Sequence, residues 1–415
     1  MFMGKRILLI GYNFFPELTG IGKYSGEMIQ WLANDGYTCT VITSYPYYPY
    51  WKVQEPYTKH RFWYHTEESN LHLGGSVKIH RCPMYVPTIP SGIKRILLDF
   101  SFLITATFKL LQLTFGRKFD MVCVVAPSFQ FGLLGILYKK IRKAKFLYHI
   151  QDMQIEAARD LKLIKSDKVI NLLFKIEDYI FKKSDFISTI SPGLAAKVEK
   201  KAAKEITLFP NWTDTKLFYP IENRNELKEE FGFKKTDKII LYSGAIGEKQ
   251  GLEAIIQAAD VCRLQSDVKF IICGSGPYKQ KLQDLANSLN LVNIIFFPLQ
   301  PFDKFNQFLN IADVHLVIQK SMASDLVMPS KLTTILAVGG LALITADEGS
   351  GLYTLVQNHK MGLLVEAENQ QELNNGIRRA ISENNQSIKS NARAYAEQYL
   401  SIDSVMETFK KDVNL

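Results

Sequence analysis

Residues 238–257, KIILYSGAIGEKQGLEAIIQ, decide the fold class of this chain. An apolar run is followed by a glycine-rich loop and then by a segment whose apolar residues recur at helical spacing. Residues 5–35 repeat this order, with the apolar run KRILLIGY, a loop that contains Gly20 and Gly22, and an amphipathic segment. A strand, a loop and a helix in this order are typical of a parallel sheet wrapped by helices.

Further short apolar runs alternate with helical segments along the whole chain. They are TCTVITS, MVCVVAP, KFLYHI and DFISTI in the first half, and VKFIICGSG, NIIFFP, VHLVIQ and LALITA in the second. With 415 residues, the chain is longer than the size at which a single core stops growing. We therefore predict an α/β protein of two Rossmann-like domains, residues 1–212 and 213–392, divided near the proline-bracketed segment 209–220. Residues 393–415 have a helical pattern.

The distribution of charge and of cysteine limits the class of protein. Residues 1–210 carry 29 Lys and Arg against 17 Asp and Glu, whereas residues 211–415 carry 21 against 24. A basic half suits an anionic lipid surface, a phosphorylated ligand or nucleic acid. No nucleic-acid-binding module is recognisable, so we expect no nucleic-acid partner. The five cysteines are scattered and form no CxxC pair, which predicts buried, reduced thiols.

One segment, residues 96–115, is long and apolar enough to be a candidate for a membrane-spanning helix. It contains Asp99 and Lys109, which disfavour a spanning helix and favour a buried or interfacial one. The apolar run near residue 8 is too short for a secretory signal. Because basic residues flank segment 96–115, we expect a cytoplasmic protein that associates peripherally with the inner face of the plasma membrane.

Glycine-rich loops follow the first strand of each predicted domain, where folds of this class bind their ligands. Small residues at a helix N-terminus let backbone amides approach an anion. Lys249 adds a cation that suits a leaving diphosphate, although it could also be a solvated lysine in a turn. The candidate donor-binding residues are Gly20, Gly22, Ser243 and Gly244 in these loops, and Gly276 in the loop that follows the next predicted strand, VKFIIC.

Three other regions carry candidate site residues. Ser330 and Lys331 begin a helical segment, where Ser330 could cap the helix and both could reach a phosphate. Gln151 and Asp152 follow a predicted strand and are preferred as site residues over the neighbouring His149. An aromatic, proline-stiffened loop, residues 45–51, includes Tyr48 and Trp51, whose rings could pack on a sugar.

Missing motifs exclude several classes of enzyme. The glycines of the first loop miss the GxGxxG spacing, which argues against a dinucleotide cofactor. The sequence contains no HExxH, GxSxG or P-loop, and no two aspartates are spaced as in the DxD device that holds a metal-bound diphosphate. We therefore expect neither a metal nor a cofactor.

An ordered set of motifs resembles the GT-B-fold retaining glycosyltransferases of family 4. The set is FPELTGIGKYSGEM, YYPYW, HIQDM, TISPG, FPNWTD, YSGAIGEKQGLE, GSGP and VMPSKL, and it is closest to the colanic acid or fucosamine-type branch of surface-polysaccharide synthesis. The resemblance implies an inter-domain cleft, a donor held mostly by the second domain and an acceptor held by the first. It also implies a C-terminal helix, residues 393–415, that crosses back to the first domain, and metal-independent transfer with retention of configuration.

The chain departs from the family pattern at positions that bear on the donor. Ala245 stands where the family often has arginine, and Lys249 matches its diphosphate lysine. A pair of glutamates in the second domain is missing, with Asp325, Ser330 and Lys331 as substitutes for sugar binding.

The sequence thus predicts a bacterial hexosyl- or aminosugar transferase with Lys249, Gln151 and Asp152 as catalytic residues. It would use a UDP- or GDP-sugar as co-substrate and a lipid-linked or oligosaccharide acceptor. A GT-B nucleotide-sugar epimerase and an inactive sugar-nucleotide-binding subunit remain alternatives.

Overall fold

The computed structural model describes residues 5–17, 20–70, 75–126, 128–160, 164, 166–319 and 329–415. The chain forms two compact units. Unit 1 comprises Met1–Ile190, Ala195–Phe209 and Met406–Leu415, and unit 2 comprises Ser191–Leu194 and Pro210–Val405. Of the C-terminal segment, residues 406–415 therefore group with the first unit and residues 393–405 with the second.

Unit 1 is built on an eight-stranded sheet. Its strands are β1 (Arg6–Ile10), β2 (Thr38–Ser44), β3 (His65–Asn70), β4 (Ser76–Cys82), β5 (Met121–Ala126), β6 (Lys145–Ile150), β7 (Phe186–Thr189) and β8 (Thr207–Leu208). Its helices are α1 (Gly20–Asn34), α2 (Gly92–Thr114), α3 (Gly132–Arg142), α4 (Gln154–Asp160), α5 (Asp167–Lys183) and most of α6 (Pro192–Ala202).

The strand order in unit 1 is β3-β4-β2-β1-β5-β6-β7-β8, and β3 is the strand that pairs antiparallel. The order reverses between β1 and β5, which pair in parallel. In doubly wound sheets such a switch point leaves a crevice outside the carboxyl ends of the two strands, and ligands bind there.

Unit 2 contains a six-stranded parallel sheet in the order β11-β10-β9-β12-β13-β14. The strands are β9 (Lys238–Ser243), β10 (Val268–Cys273), β11 (Ile294–Phe297), β12 (Val314–Val317), β13 (Ala342–Thr345) and β14 (Leu363–Val365). The helices are α7 (Arg224–Glu230), α8 (Glu253–Val261), α9 (Lys279–Ser288), α10 (Phe305–Asn310), α11 (Ser330–Ala337), α12 (Gly351–His359), α13 (Gln370–Ser382) and α14 (Gln386–Tyr395), followed by α15 (Ile402–Asp412).

Two hydrophobic clusters cover the two faces of the unit 2 sheet. On β9, Ile239 and Leu241 belong to one cluster, whereas Ile240 and Tyr242 belong to the other. This alternation follows from the two-residue period of a strand, and burial on both faces explains why the strand is an unbroken apolar run. The switch point of this sheet lies between β9 and β12.

Helix α2 is apolar on two opposite faces. Leu98, Phe102, Ala106 and Leu110, four residues apart, are buried in unit 1. The opposite face carries exposed apolar side chains: Ile93, Ile96, Leu97, Phe100, Ile104, Phe108 and Leu111. Among the described residues, α2 is the one helix that has the length and hydropathy of a membrane span. Of the two predicted alternatives, a buried and an interfacial helix, the half-exposed α2 does not fit the buried one.

All five cysteines are buried free thiols, as the sequence predicted. Burial raises the pKa of Cys39 and Cys123 to about 12, so both are protonated at neutral pH.

Candidate substrate-binding sites

In unit 2, the loop after β9, which borders the switch point, packs backbone against backbone with the loop after β10. The loop after β9 donates a hydrogen bond from the Ile246 amide to the Ser275 carbonyl at 2.9 Å, and from the Gly244 amide to the Cys273 carbonyl at 3.0 Å. A Cβ atom at Gly276 would lie 2.0 Å from the Ile246 carbonyl oxygen. Gly276 is thus required for this close approach, and its predicted role in donor binding remains a prediction.

Lys331 reaches this loop from α11. Its Nζ lies 3.7 Å from the centroid of the Tyr242 ring, which is a cation–π contact. A Cβ atom at Gly244 would lie 2.9 Å from the same Nζ, so a side chain there would displace the ammonium group from this position.

The electrostatic surroundings of Lys331 are unusual for a lysine. Burial lowers its pKa to about 7, and no charged group among the described residues offsets that effect. A desolvated cation without a counter-charge is costly unless an anion binds beside it. The arrangement at Gly244 and Lys331 therefore fits an anionic ligand.

The other candidates of unit 2 are placed as follows. The main chain of Lys249 lies in a single 3₁₀ turn, Glu248–Gln250, and its side chain lies outside what the structure describes. Asp325 also lies outside the described residues. Ser243 ends β9 and is partly exposed. Ser330 is exposed and is the first residue of α11; because Pro329 occupies the N-cap, the expectation that Ser330 caps the helix is wrong.

In unit 1, a buried carboxylate joins the glycine loop to the aromatic loop. Glu17 is 2% exposed, and its Oε1 accepts hydrogen bonds from the backbone amides of Tyr47 and Tyr48, both at 3.0 Å. Its Oε2 accepts one from Asn13 Nδ2 at 2.8 Å. Burial raises the pKa of Glu17, and these hydrogen bonds oppose that rise. Glu17 therefore fixes the backbone of the aromatic loop.

The glycines of the first loop lie against the Glu17 carboxylate and the Tyr48 ring. A Cβ atom at Gly22 would lie 2.6 Å from Glu17 Oε2, so a side chain there would displace the carboxylate. Gly20 has φ +61°, and a Cβ atom on it would lie 4.0 Å from the Tyr48 ring. The structure thus brings Gly20 and Gly22 together with the aromatic loop. Their predicted contact with the donor stays a prediction.

The rings of the aromatic loop contact one another and α2. The Trp51 ring lies 5.7 Å from the Tyr47 ring and 6.5 Å from the Tyr48 ring. The guanidinium carbon of Arg95, on α2, lies 5.2 Å above the Trp51 ring. Tyr48 is 39% exposed, so it presents a ring to solvent.

Gln151 and Asp152 follow β6 and reach the surface, in contrast to the neighbouring histidine. Asp152 is exposed, and its Oδ1 accepts a hydrogen bond from the Met153 amide at 2.8 Å. His149 is 4% exposed, its Nδ1 lies 2.9 Å from Ser188 Oγ, and burial lowers its pKa to about 3. His149 is thus a neutral core residue, which fits the preference for Gln151 and Asp152.

Sequence reasoning missed the role of Glu17. The signal was present, since this acidic residue lies between an apolar strand and the glycines Gly20 and Gly22. Its partners Tyr47 and Tyr48 lie about 30 residues further along the chain, and no local pattern connects them. Over the described residues, no group of three or more His, Cys, Asp or Glu side chains is arranged to hold a metal ion.

Two doubly wound α/β units, each with glycine loops at its switch point, define the GT-B class of glycosyltransferases. Two family models match the chain: "Glycosyl transferase 4-like domain" over residues 19–212 and "Glycosyl transferases group 1" over residues 223–398. The chain belongs to this glycosyltransferase family, as the sequence motifs predicted.

A relative of nearly equal length supports the assignment. The chain is 40% identical, over 98% of its length and 99% of the relative, to WcaI of Escherichia coli (strain K12), which is named as a glycosyl transferase of colanic acid biosynthesis. A more distant match, 22% identical over 50% of this chain and 52% of the relative, is N-acetyl-alpha-D-glucosaminyl L-malate synthase of Bacillus anthracis.

Solved structures share the fold along the whole chain. Sucrose-phosphate synthase from Thermosynechococcus elongatus superposes with a TM-score of 0.73 at 16% identity and covers 99% of this chain and 98% of its own. Anabaena HepE, crystallised with UDP and glucose, superposes with a TM-score of 0.67 at 13% identity and 99% coverage of both chains. The predicted GT-B fold is confirmed.

Proposed function

We propose that this glycosyltransferase moves a sugar, with retention of configuration, from a nucleoside diphosphate sugar to a lipid-linked or polysaccharide acceptor in surface-polysaccharide synthesis. The observation that carries the proposal is Lys331, a largely desolvated cation at the switch point of unit 2 that meets no counter-charge among the described residues. A diphosphate is the anion that such a donor would bring there. The assignment to surface-polysaccharide synthesis is supported by the name of WcaI, and a nucleoside diphosphate donor by the UDP bound to HepE.

A donor screen tests the proposal. The purified protein is exposed to a panel of UDP- and GDP-sugars, and its Tm is measured, because a ligand that binds the folded state raises Tm by linkage. The donors that raise Tm are then incubated with lipid-linked oligosaccharide, and the anomeric configuration of the product is read by NMR. Donor turnover without an acceptor would indicate an epimerase. Donor binding without any transfer would indicate an inactive sugar-nucleotide-binding subunit.

We expect transfer to survive EDTA. The diphosphate charge would be met by Lys249, by Lys331 and by backbone amides, and the sequence has no DxD pair to hold a bridging metal. The initial rate of transfer is measured with EDTA and after addition of Mg²⁺ or Mn²⁺. Loss of activity on chelation that either cation restores would contradict metal independence.

The exposed apolar face of α2 supports a peripheral position at the inner face of the plasma membrane. Its buried face packs in unit 1 through Leu98, Phe102, Ala106 and Leu110, so spanning a bilayer would uncover core residues. Lys94 and Arg95 are exposed at its N-terminal turn, and the chain of unit 1 is strongly basic. Apolar side chains flanked by cations are typical of helices that lie in the interface of anionic membranes.

We expect the protein to bind vesicles that contain phosphatidylglycerol, and expect the double variant Ile104→Ser, Phe108→Ser to bind them at least about tenfold more weakly. Binding is measured by co-sedimentation at increasing salt, which should weaken it by screening. Leu264→Ser, which changes a 93% exposed apolar residue of unit 2, is the matched control. Equal binding of wild type to neutral and anionic vesicles would contradict attraction between the basic residues and anionic lipid. Unchanged binding of the double variant would contradict a role of α2 in membrane binding.

A further inference from the structure

The switch point of unit 1 contains a polar cluster that none of the assignments above uses. The chain leaves β1 into Tyr12 and leaves β5 toward Ser128, and the Ser128 Oγ donates a hydrogen bond to the Tyr12 hydroxyl at 3.2 Å. Ser128 is fully buried, and Tyr12 is nearly so. Both side chains therefore lie at the carboxyl edge of the sheet, where folds of this type bind ligands.

A carboxylate enters this cluster from α2. Asp99 is partly buried, and the side chains of Tyr12, Ser128 and Gln130 act on it as hydrogen-bond partners. Among the described residues, the one opposite charge that acts on it is Arg95, one helical turn earlier. Desolvation outweighs all of these and raises the pKa of Asp99 to about 6.

Aromatic rings extend from the same cluster to the aromatic loop. The Tyr12 ring lies 6.2 Å from the Tyr47 ring, which in turn contacts Trp51 at 5.7 Å. Arg95 covers the outer face of this group through its contact with Trp51. A hydrogen-bond acceptor close to aromatic rings is a combination that can recognise a sugar, because sugars offer hydroxyl donors and apolar C–H faces.

A purely structural role accounts poorly for a charge at this position. A buried ionised group costs free energy unless it is paired, and a neutral residue of similar shape usually serves the fold equally well or better. An anionic ligand is also disfavoured, because the carboxylate would repel a phosphate. A neutral hydroxyl group that donates a hydrogen bond fits both the negative charge of Asp99 and its position at the carboxyl edge of the sheet.

We propose that Asp99 binds a hydroxyl group of the acceptor sugar, an inference that rests on the proposed transfer to a sugar acceptor. The same helix carries the exposed apolar face, and Ile96 of that face lies one helical turn before Asp99. The sugar of a lipid-linked acceptor would thus be bound beside the surface that contacts the lipid.

The test is Asp99→Asn, which keeps the shape and removes the charge. We expect the acceptor KM to rise at least about tenfold, the Tm shift caused by the donor to stay unchanged, and Tm without ligand to rise by a few degrees, since a costly buried charge is removed. Asp178→Asn, which alters a partly exposed aspartate of α5 paired with Lys182 on the surface, is the matched control and should leave the acceptor KM and the donor-induced Tm shift unchanged.

The pH profile separates binding from a structural role. When pH falls through about 6, protonation of Asp99 should raise the acceptor KM of wild type, and the profile of Asp99→Asn should be flat. The other ionisable groups that face Asp99 do not titrate there: burial raises the pKa of Tyr12 and Tyr47, and Arg95 stays charged.

Three outcomes overturn the inference: an unchanged acceptor KM, equal pH profiles of the two proteins, or a variant that unfolds, since the last would show a structural need for the charge. Failure of the wild type to transfer sugar from any donor would instead refute the proposed function.

Discussion

Replacing Lys249 by alanine is expected to lower kcat by about 10²–10³, the loss typical of removing one preorganised electrostatic donor. In retaining transfer the bond to the diphosphate breaks early, and negative charge develops on its bridging oxygen. Lys249 lies in the 3₁₀ turn between β9 and α8, beside the positive end of a helix. Ala245 stands where the family often has arginine, so we expect more of the stabilisation to depend on Lys249.

The measurement is single-turnover transfer at saturating donor and acceptor, with Tm as a check on folding. Lys249→Arg should recover only part of the activity, because the planar guanidinium group of arginine does not place its charge where the lysine ammonium group does. Lys304→Met, at an exposed lysine of unit 2, is the control and should behave as wild type. A Lys249→Ala enzyme within about threefold of wild type would show that another group stabilises the leaving diphosphate.

The strands predicted from sequence are short apolar runs, most of them buried on both faces; β11, at the edge of its sheet, is only partly buried. KIILYS, VKFIIC and MVCVVA are continuous apolar runs, and all three are central strands. The strands β3 and β4 were missed because HTEESN and SVKIHRC contain few apolar residues. Fully buried Arg81 in β4 is tolerated because its Nε donates to Glu67 of β3 at 2.6 Å, a pairing that the sequence does not reveal.

The features of the candidate sites also differ in whether the local sequence reveals them. Glycine loops after apolar strands were identified from their local pattern. The roles of Glu17, Asp99 and Lys331 depend on contacts with residues about 30 to 90 positions away, such as the approach of Lys331 to Gly244. Such contacts form only when the sheet assembles. The sequence marks Lys331 as a candidate at the start of a helix but does not reveal its approach to Gly244, and it marks Glu17 and Asp99 only as charges near apolar segments.

Lys331→Met is expected to weaken donor binding about 10- to 100-fold, the loss associated with one hydrogen bond to a charged group. Methionine keeps the length of the side chain over the Tyr242 ring and removes the charge. The effect should appear in the donor Kd, measured by titration calorimetry, while Lys304→Met binds as wild type.

The pH dependence of donor binding tests the role of Lys331 more specifically than the loss of affinity in the variant does. With a pKa of about 7 in the free protein, Lys331 is mostly neutral at pH 8, and a bound diphosphate favours its charged form. Binding should therefore take up a proton, and the donor Kd should rise by up to about tenfold for each pH unit above 7. Below pH 6 the lysine is already protonated, so the Kd should be constant there.

Calorimetry in buffers of different ionisation enthalpy counts the protons taken up. We expect wild type to take up nearly one proton at pH 8, and Lys331→Met to take up none. Because the diphosphate of a nucleotide sugar does not itself titrate in this range, the proton must be bound by the protein. A wild-type Kd that is constant from pH 6.5 to 8.5, with no proton uptake, would mean that Lys331 does not meet the diphosphate and that the cation for the donor lies elsewhere in unit 2.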